Sequence, residues 1–436
     1  MKLAFITPRY GAEIAHGPEH ICRLLAEQVA ARHDVDVLTT CARDPVTWTN
    51  EYPEGADRVR GVLVRRFAAS GGREPEAFRA LGEKLFSAPH SRADEEAWVH
   101  RSGTSSPGLL DVLRRQGRNY DALVFFSYAA GTTIQGVAVA PERSILFPCA
   151  TPDQALRLYV CQDVLGMPAA LGYCSAAERR VVRAYTRHRP RSEEFVGVGV
   201  AAMPEARYPR LQQDWPEPDE ADDAGAAGGS EDDALPHLSG RGVLFRRRHR
   251  LHGPYVLYGG PVEPNNGTEE LIEYFGSYAD RADAEAAGTE GRSAKAALVL
   301  MGVKLMMVPA EPWLRPAGML PERDRMAALE AADVTVAPEP GDVAGEQVLE
   351  SLAVGTPVLA SARSHAAVEH CRRSNGGLYY ANREEFVEAL RVIMTNDRVR
   401  GALGRNGRRY VQQHYRWDAV LARFERLVGR LRSQKS

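Results

Sequence analysis

The chain has 436 residues, 44% hydrophobic and 26% charged, and at roughly 100 to 200 residues per domain it is long enough for two domains with separate cores. Lys and Arg number 55 against 57 Asp and Glu, a formal net charge of -2, so no global basic field draws the protein to nucleic acid. The six cysteines show no CxxC or Cys/His spacing, which argues against a disulfide framework or a metal site and for buried thiols in a reducing cytoplasm. No apolar run approaches the ~18 residues of a membrane span, and the opening MKLAFITPRYG is too briefly apolar for an export signal. A cytoplasmic protein without a membrane span is expected, compatible with peripheral membrane association.

Leu3 to Thr7 is an apolar run ending at Pro8. Ile21, Leu24, Leu25 and Val29 then share one helical face between Pro18 and Arg32, so the chain opens as strand, loop, helix. The loop between them carries Arg9, Gly11 and Gly17. Backbone amides at the helix start can hold an anion there, although a plain connection reads equally well. The spacing is not GxGxxG, which excludes the dinucleotide fingerprint. Further strands are predicted at Val35 to Thr39, Val62 to Phe67, Ala122 to Phe126, Ser144 to Phe147 and Phe195 to Val200, with helical patterns between several of them. Such alternation implies a parallel sheet covered on both faces.

Between Pro216 and Asp233 the run PEPDEADDAGAAGGSEDD holds eight acids and no base, and it reads as a disordered insertion because it cannot build a core. The basic cluster Arg246, Arg247, Arg248, His249 and Arg250 reads as a solvated helix end partnering those acids. A second alternating series follows. Strands are predicted at Tyr255 to Tyr258, Ala297 to Met301, Val334 to Ala337 and Pro357 to Ala360. Helices are predicted from Thr268 and over Glu322 to Ala332, Glu346 to Ala353, Arg383 to Met394 and Arg398 to Gln413. The division expected is 1–203, an acidic linker or insertion 204–254, 255–415, and a C-terminal helix 416–436 that crosses back to the first domain. Ligands of such sheets bind at the carboxyl ends of the strands, in the cleft between the units.

The richest segment is APEPGDVAGEQVLESLAVGTPVLAS, Ala337 to Ser361. A loop with Asp342 and Gly345 leads into a helix containing Glu350, which stops at Gly355 before Pro357. Asp342 and Glu350 have seven residues between them, and carboxylates so placed can grip sugar or ribose hydroxyls by charge-assisted hydrogen bonds. A capping Asp342 and an exposed Glu350 fit the residues as well.

Val348-Leu349-Glu350, Gly355-Thr356-Pro357-Val358 and the tail HCRRSNGGLYY (His370 to Tyr380) make this segment resemble the carboxyl-terminal signature of the glycosyltransferases of family 4. TPRYG, GVGV at Gly197 to Val200, AADVTVAPE, RNGRRYV and YRWD at Tyr415 to Asp418 extend the resemblance over nearly the whole chain outside the acidic run. It implies an α/β protein of the GT-B fold, two facing Rossmann-like domains with parallel sheets. The implied activity is retaining transfer from a nucleotide-sugar donor, with no metal or other cofactor, in bacterial glycan assembly. The donor would lie against 255–415. The acceptor, a glycan, lipid-linked or small molecule, would lie against 1–203.

By the resemblance, Glu350 and Asp342 hold the donor sugar or ribose, the loop from Pro338 to Gly345 positions the sugar, Gly260 and Gly267 line the diphosphate loop, and Gly17 faces the reacting centre. Several positions depart from the pattern. Pro261 and Asn266 stand where the family has a diphosphate-binding arginine and lysine, Asp342 is one methylene short, and Thr151 replaces an acceptor-side histidine. Two lost charged hydrogen bonds, roughly 1.5 to 3 kcal/mol each, slow such a step by about 10² to 10⁴. Lys304, Arg9 and Arg363 each follow a strand and are candidate replacement cations, or exposed surface residues. Asp153 is either an acceptor-side acid or the cap of DQALRL. The rival reading is a catalytically inert GT-B protein that binds a sugar nucleotide, a glycan or a partner enzyme. A nucleotide-sugar epimerase of the same fold is more distant.

Overall fold

The computed structural model describes residues 1–186, 190–200, 240–264, 266–287 and 296–433. The acidic run Pro216 to Asp233 lies outside the described residues.

The first unit is built on strands β1 (Lys2–Ile6), β2 (Asp34–Thr40), β3 (Gly55–Val59), β4 (Val62–Phe67), β5 (Ala122–Phe126), β6 (Ser144–Phe147), β7 (Ala170–Tyr173) and β8 (Ser192–Phe195). They form one sheet in the order β3-β4-β2-β1-β5-β6-β7-β8, parallel except for the β3/β4 hairpin. The central strands LAFI and ALVFF are wholly buried, as expected of strands covered on both faces. The covering helices are α1 (Gly17–Val29), α2 (Pro75–Ser87), α3 (Arg92–Arg101), α4 (Pro107–Gln116), α5 (Gly131–Val137), α6 (Tyr159–Gly166) and α7 (Ala176–Tyr185).

After α8 (Gly240–Arg248), the second unit carries strands β9 (Tyr255–Gly259), β10 (Ala297–Met301), β11 (Leu314–Pro316), β12 (Val334–Ala337), β13 (Val358–Ser361) and β14 (Gly377–Tyr380). Their order is β11-β10-β9-β12-β13-β14, all parallel. Helices α9 (Thr268–Ala287), α10 (Glu322–Ala331), α11 (Glu346–Val354), α12 (His365–Ser374), α13 (Arg383–Thr395) and α14 (Asp397–His414) cover it. The last helix, α15 (Trp417–Ser433), returns to the first unit. Its Val420, Phe424, Leu427 and Val428 join the core of Phe5, Phe126 and Phe147, with the Phe5 and Phe424 rings 5.9 Å apart.

Two expectations are corrected. The apolar run Phe195 to Val200 is not a strand throughout. β8 ends at Phe195, the chain turns at Gly197, and the Val200 amide donates to the Tyr415 carbonyl at 2.8 Å, so the run is buried by the returning helix. Arg246 is not part of a solvated helix end. Its guanidinium donates to the Ala331 and Gly253 carbonyls and pairs with Asp333 at 3.2 Å, while Asp333 accepts the Tyr255 amide at 2.9 Å. Arg246 thus ties α8 to the start of β9.

Candidate functional site in the interdomain cleft

The carboxyl ends of both sheets face one another. Ala150, Thr151, Pro152 and Ser175 meet Pro340, Asp342 and His365 across the gap. The start of α1 faces the start of α11, and His20 Nε2 stands 3.0 Å from Glu346 Oε1. A second tie runs through Glu369 of α12, which accepts from the Ala176 amide at 3.2 Å and pairs with Arg180 at 3.4 Å.

Asp342 shapes the loop before α11. Its Oδ1 accepts from the amides of Ala344 and Gly345 at 3.0 and 2.8 Å. Burial pushes this carboxyl up, against those two hydrogen bonds. Gly345 caps the helix at φ 64, and a β-carbon there would lie 2.5 Å from the His370 ring, so only glycine suits the turn. Val348, Leu349 and Leu352 anchor α11 against β13, which leaves Glu346 and Glu350 on the face opposed to α1 and α10.

Glu350 is buried, 7% exposed, rather than a solvated helix residue, and it is ion-paired with Arg325 of α10. Burial pushes its carboxyl up to about 7, while Arg325 pulls the other way and Glu346 adds to the rise. Burial also acts upward on Glu346, but the hydrogen bond from His20 and the charges of His20, Arg325 and Arg23 outweigh it and hold Glu346 below the usual range. Glu346, Arg325 and His20 were not singled out from the sequence. The signal present was the i,i+4 pair Glu346/Glu350, a like-charge repeat that a helix tolerates when cations face it.

On the donor side, β9 runs into Gly259 and Gly260. A β-carbon on Gly260 would collide with Glu339 Oε1, so the carboxyl of Glu339 packs directly on this backbone. Tyr258 Oη lies 2.6 Å from Glu339 Oε1 and 2.9 Å from the Pro261 carbonyl oxygen. Asn266 donates to Tyr258 Oη at 3.1 Å and to the Pro261 carbonyl. Gly267 follows against the Pro338 carbonyl, just before α9. The segment after β10 is pinned here too: Val262 donates to the Val303 carbonyl and Leu305 donates to Val262, each at 2.8 Å. Lys304 is therefore held beside the loop, with its side chain exposed. Arg363, also exposed, pairs with Glu270 in the first turn of α9 at 2.5 Å.

On the acceptor side, Gly17 opens α1. Arg9 is buried, donates to the Arg43 carbonyl at 2.9 Å, lies 3.6 Å from Glu19 and stacks over Trp48. With Glu13, His16, Arg43, Asp44 and Glu51 it lines a pocket of about 340 Å³. Asp153 caps the short turn Gln154–Arg157, accepting from the Ala155 amide at 2.9 Å and from Tyr128 Oη at 2.5 Å, with Thr151 Oγ1 3.5 Å away. Beneath Thr151, Glu178 accepts from the amides of Cys174 and Ala150 at 2.6 and 3.2 Å. Burial raises this carboxyl to about 7 against those bonds. Glu178→Ala should strand two buried N–H groups, at about 1 to 3 kcal/mol each. A loss of on the order of 2 to 4 kcal/mol in urea unfolding is expected, larger than for the exposed Glu142→Ala.

With this geometry, the fold is GT-B, the fold of the glycosyltransferase structures that the chain matches along nearly its full length. Sucrose-phosphate synthase from Thermosynechococcus elongatus superposes with a TM-score of 0.64 at 15% identity, covering 99% of each chain. Anabaena Alr3699/HepE in complex with UDP and glucose gives 0.64 at 12%, covering 98% of this chain and 99% of that one. WaaG, a glycosyltransferase involved in lipopolysaccharide biosynthesis, gives 0.59 at 15%, covering 98% and 100%. Residues 281–426 match the family described as glycosyl transferase-like. No curated protein matches the sequence significantly. Among the described residues no helix is long and apolar enough to cross a membrane.

Proposed function

We propose that the protein transfers a sugar from a nucleotide-sugar donor to an acceptor with retention, through an atypical donor site. The observation that carries the reading is the buried Glu350 of α11, one helical turn from the Glu346 that α1 contacts through His20 across the cleft. A carboxyl on the helix that opens at the cleft would hold sugar or ribose hydroxyls, and orientation of the donor is most of what such a transfer requires. Asp342 and the loop from Pro338 to Gly345 shape the sugar site. Gly260 and Gly267 line the diphosphate loop. The acceptor lies against Gly17, Thr151, Asp153 and the pocket of Arg9. Anabaena Alr3699/HepE, which shares the fold, forms a complex with UDP and glucose, and this supports a nucleotide-sugar donor. No metal or other cofactor enters, and the setting is cytoplasmic.

Lys304 is the replacement cation, because backbone hydrogen bonds hold its segment against Val262 beside Pro261. Arg363 is engaged by Glu270 and Arg9 by Glu19, so both are held for other charges. Lys304→Ala should weaken nucleotide binding about 3- to 10-fold at low salt, an effect that shrinks as salt rises. Equal affinities for the variant and the parent would remove Lys304 from the donor site. The reading itself is tested by incubating the protein with UDP-, GDP-, ADP- and dTDP-sugars together with a panel of hydroxyl acceptors, mono- and disaccharides and glycolipids, and following nucleoside diphosphate release, with the anomeric configuration of the glycosylated acceptor read by NMR. Release with an inverted product would discard retention, and absence of release would favour an inert binding protein. The observation that favours this second reading is Arg325 sitting on Glu350.

A further inference from the structure

We infer that His370 is a positioning residue of the donor site: from α12 it holds the carbonyl of Ala344, and with it the loop that carries Asp342, to the place where the chain crosses between the two units. The inference rests on the donor reading above and deepens it.

His370 is fully buried, and its ring fills the space that a β-carbon on Gly345 would need. Nε2 lies 2.9 Å from the Ala344 carbonyl oxygen, and Nδ1 lies 3.2 Å from Tyr410 Oη. A carbonyl can only accept, so the ring hydrogen sits on Nε2, and the bare Nδ1 accepts from the Tyr410 hydroxyl. Burial holds the imidazole below its usual range, in keeping with a neutral ring that carries this one hydrogen.

The Ala344 peptide is gripped on both sides. Its amide donates to Asp342 Oδ1 at 3.0 Å, its carbonyl accepts from His370, and its side chain joins the hydrophobic core of the first unit. Behind the ring, Tyr410 Oη is 3.2 Å from Tyr415 Oη, and the Tyr415 ring stands edge-on to the imidazole with centres 5.2 Å apart. The Tyr415 carbonyl accepts the amide of Val200, on the segment that leaves the first unit. A row of contacts thus runs from the crossing of the chain to the loop that shapes the sugar site. Among the described residues it makes no hydrogen bond to the diphosphate loop from Gly260 to Gly267, so its effect falls on the sugar half of the donor.

The test is calorimetric titration of the full chain and of His370→Phe, His370→Gln and Tyr410→Phe with paired ligands: UDP and UDP-glucose, GDP and GDP-mannose, ADP and ADP-glucose, dTDP and dTDP-glucose. The pair that binds the parent is compared across the variants. Phenylalanine fills the space of the ring but leaves the Ala344 carbonyl without its donor. His370→Phe should therefore bind the sugar nucleotide about tenfold more weakly than the parent does, and the nucleoside diphosphate to within about twofold. The amide of His370→Gln reaches the place of Nε2 and should bring sugar-nucleotide affinity back to within about threefold of the parent. Tyr410→Phe keeps the imidazole on Ala344 and should lose about threefold for the sugar nucleotide alone; it decides the matter if His370→Phe does not fold. Equal losses for both ligands, no loss for either, or a His370→Gln protein as weak as His370→Phe overturns the role of His370 and leaves the donor reading intact. If neither ligand of any pair binds the parent, the donor reading fails and the role of His370 falls with it.

Discussion

Glu350→Gln is expected to lower kcat/KM for nucleotide-sugar turnover by roughly 10- to 100-fold, with little change in Tm. The amide keeps the shape of the side chain and one acceptor oxygen for Arg325, but it loses the charge that strengthens a hydrogen bond to a sugar or ribose hydroxyl. Such a bond contributes about 1.5 to 3 kcal/mol. The fold is affected far less, because an amide is easier to bury than a carboxylate and Arg325, whose side chain is 31% exposed, keeps contact with water once the ion pair is lost. Steady-state kinetics and thermal melts of the same preparation separate the two effects. A parallel fall in activity and stability would assign Glu350 to the packing of α10 against α11 instead.

Arg246→Met is expected to have the largest effect on stability, about 3 to 5 kcal/mol by urea unfolding. The guanidinium lies in the interior, where it serves the Ala331 and Gly253 carbonyls, pairs with Asp333 and stacks 4.8 Å from the Tyr255 ring centre. Methionine fills much of the volume but leaves Asp333 buried without a cation and two carbonyls short of a donor. The companion substitution Asp333→Asn should restore part of the loss in the Arg246→Met background, because it removes the stranded charge. An Arg246→Met protein as stable as the parent would mean that α8 is not needed to hold β9.

The central strands were legible because a strand covered on both faces must be apolar throughout, as Leu3 to Ile6 and Ala122 to Phe126 are. The short or edge strands were not. Gly55–Val59 is exposed and polar, Leu314–Pro316 is three residues long, and neither carries a period to read. Phe195 to Val200 misled because its apolar residues are buried by a helix that arrives more than two hundred residues later, a contact that no local pattern encodes. The same limit applies to the cleft. Asp342 and Glu350 stood out by their spacing, whereas Glu339, Glu346, Arg325 and His20 acquire meaning only through partners far away in the chain. Arg246 shows the converse: a run of arginines looked like surface until the one facing inward met Asp333.

The central claim is that the cleft holds a nucleotide-sugar donor although Pro261 and Asn266 stand where the glycosyltransferases that the sequence resembles carry two diphosphate cations. Calorimetric titration of the folded protein with UDP, GDP, ADP and dTDP tests it most directly. The account predicts that one base binds, with a Kd on the order of micromolar, despite Pro261 and Asn266. Absence of binding by all four, from protein shown by its melting transition to be folded, would contradict it.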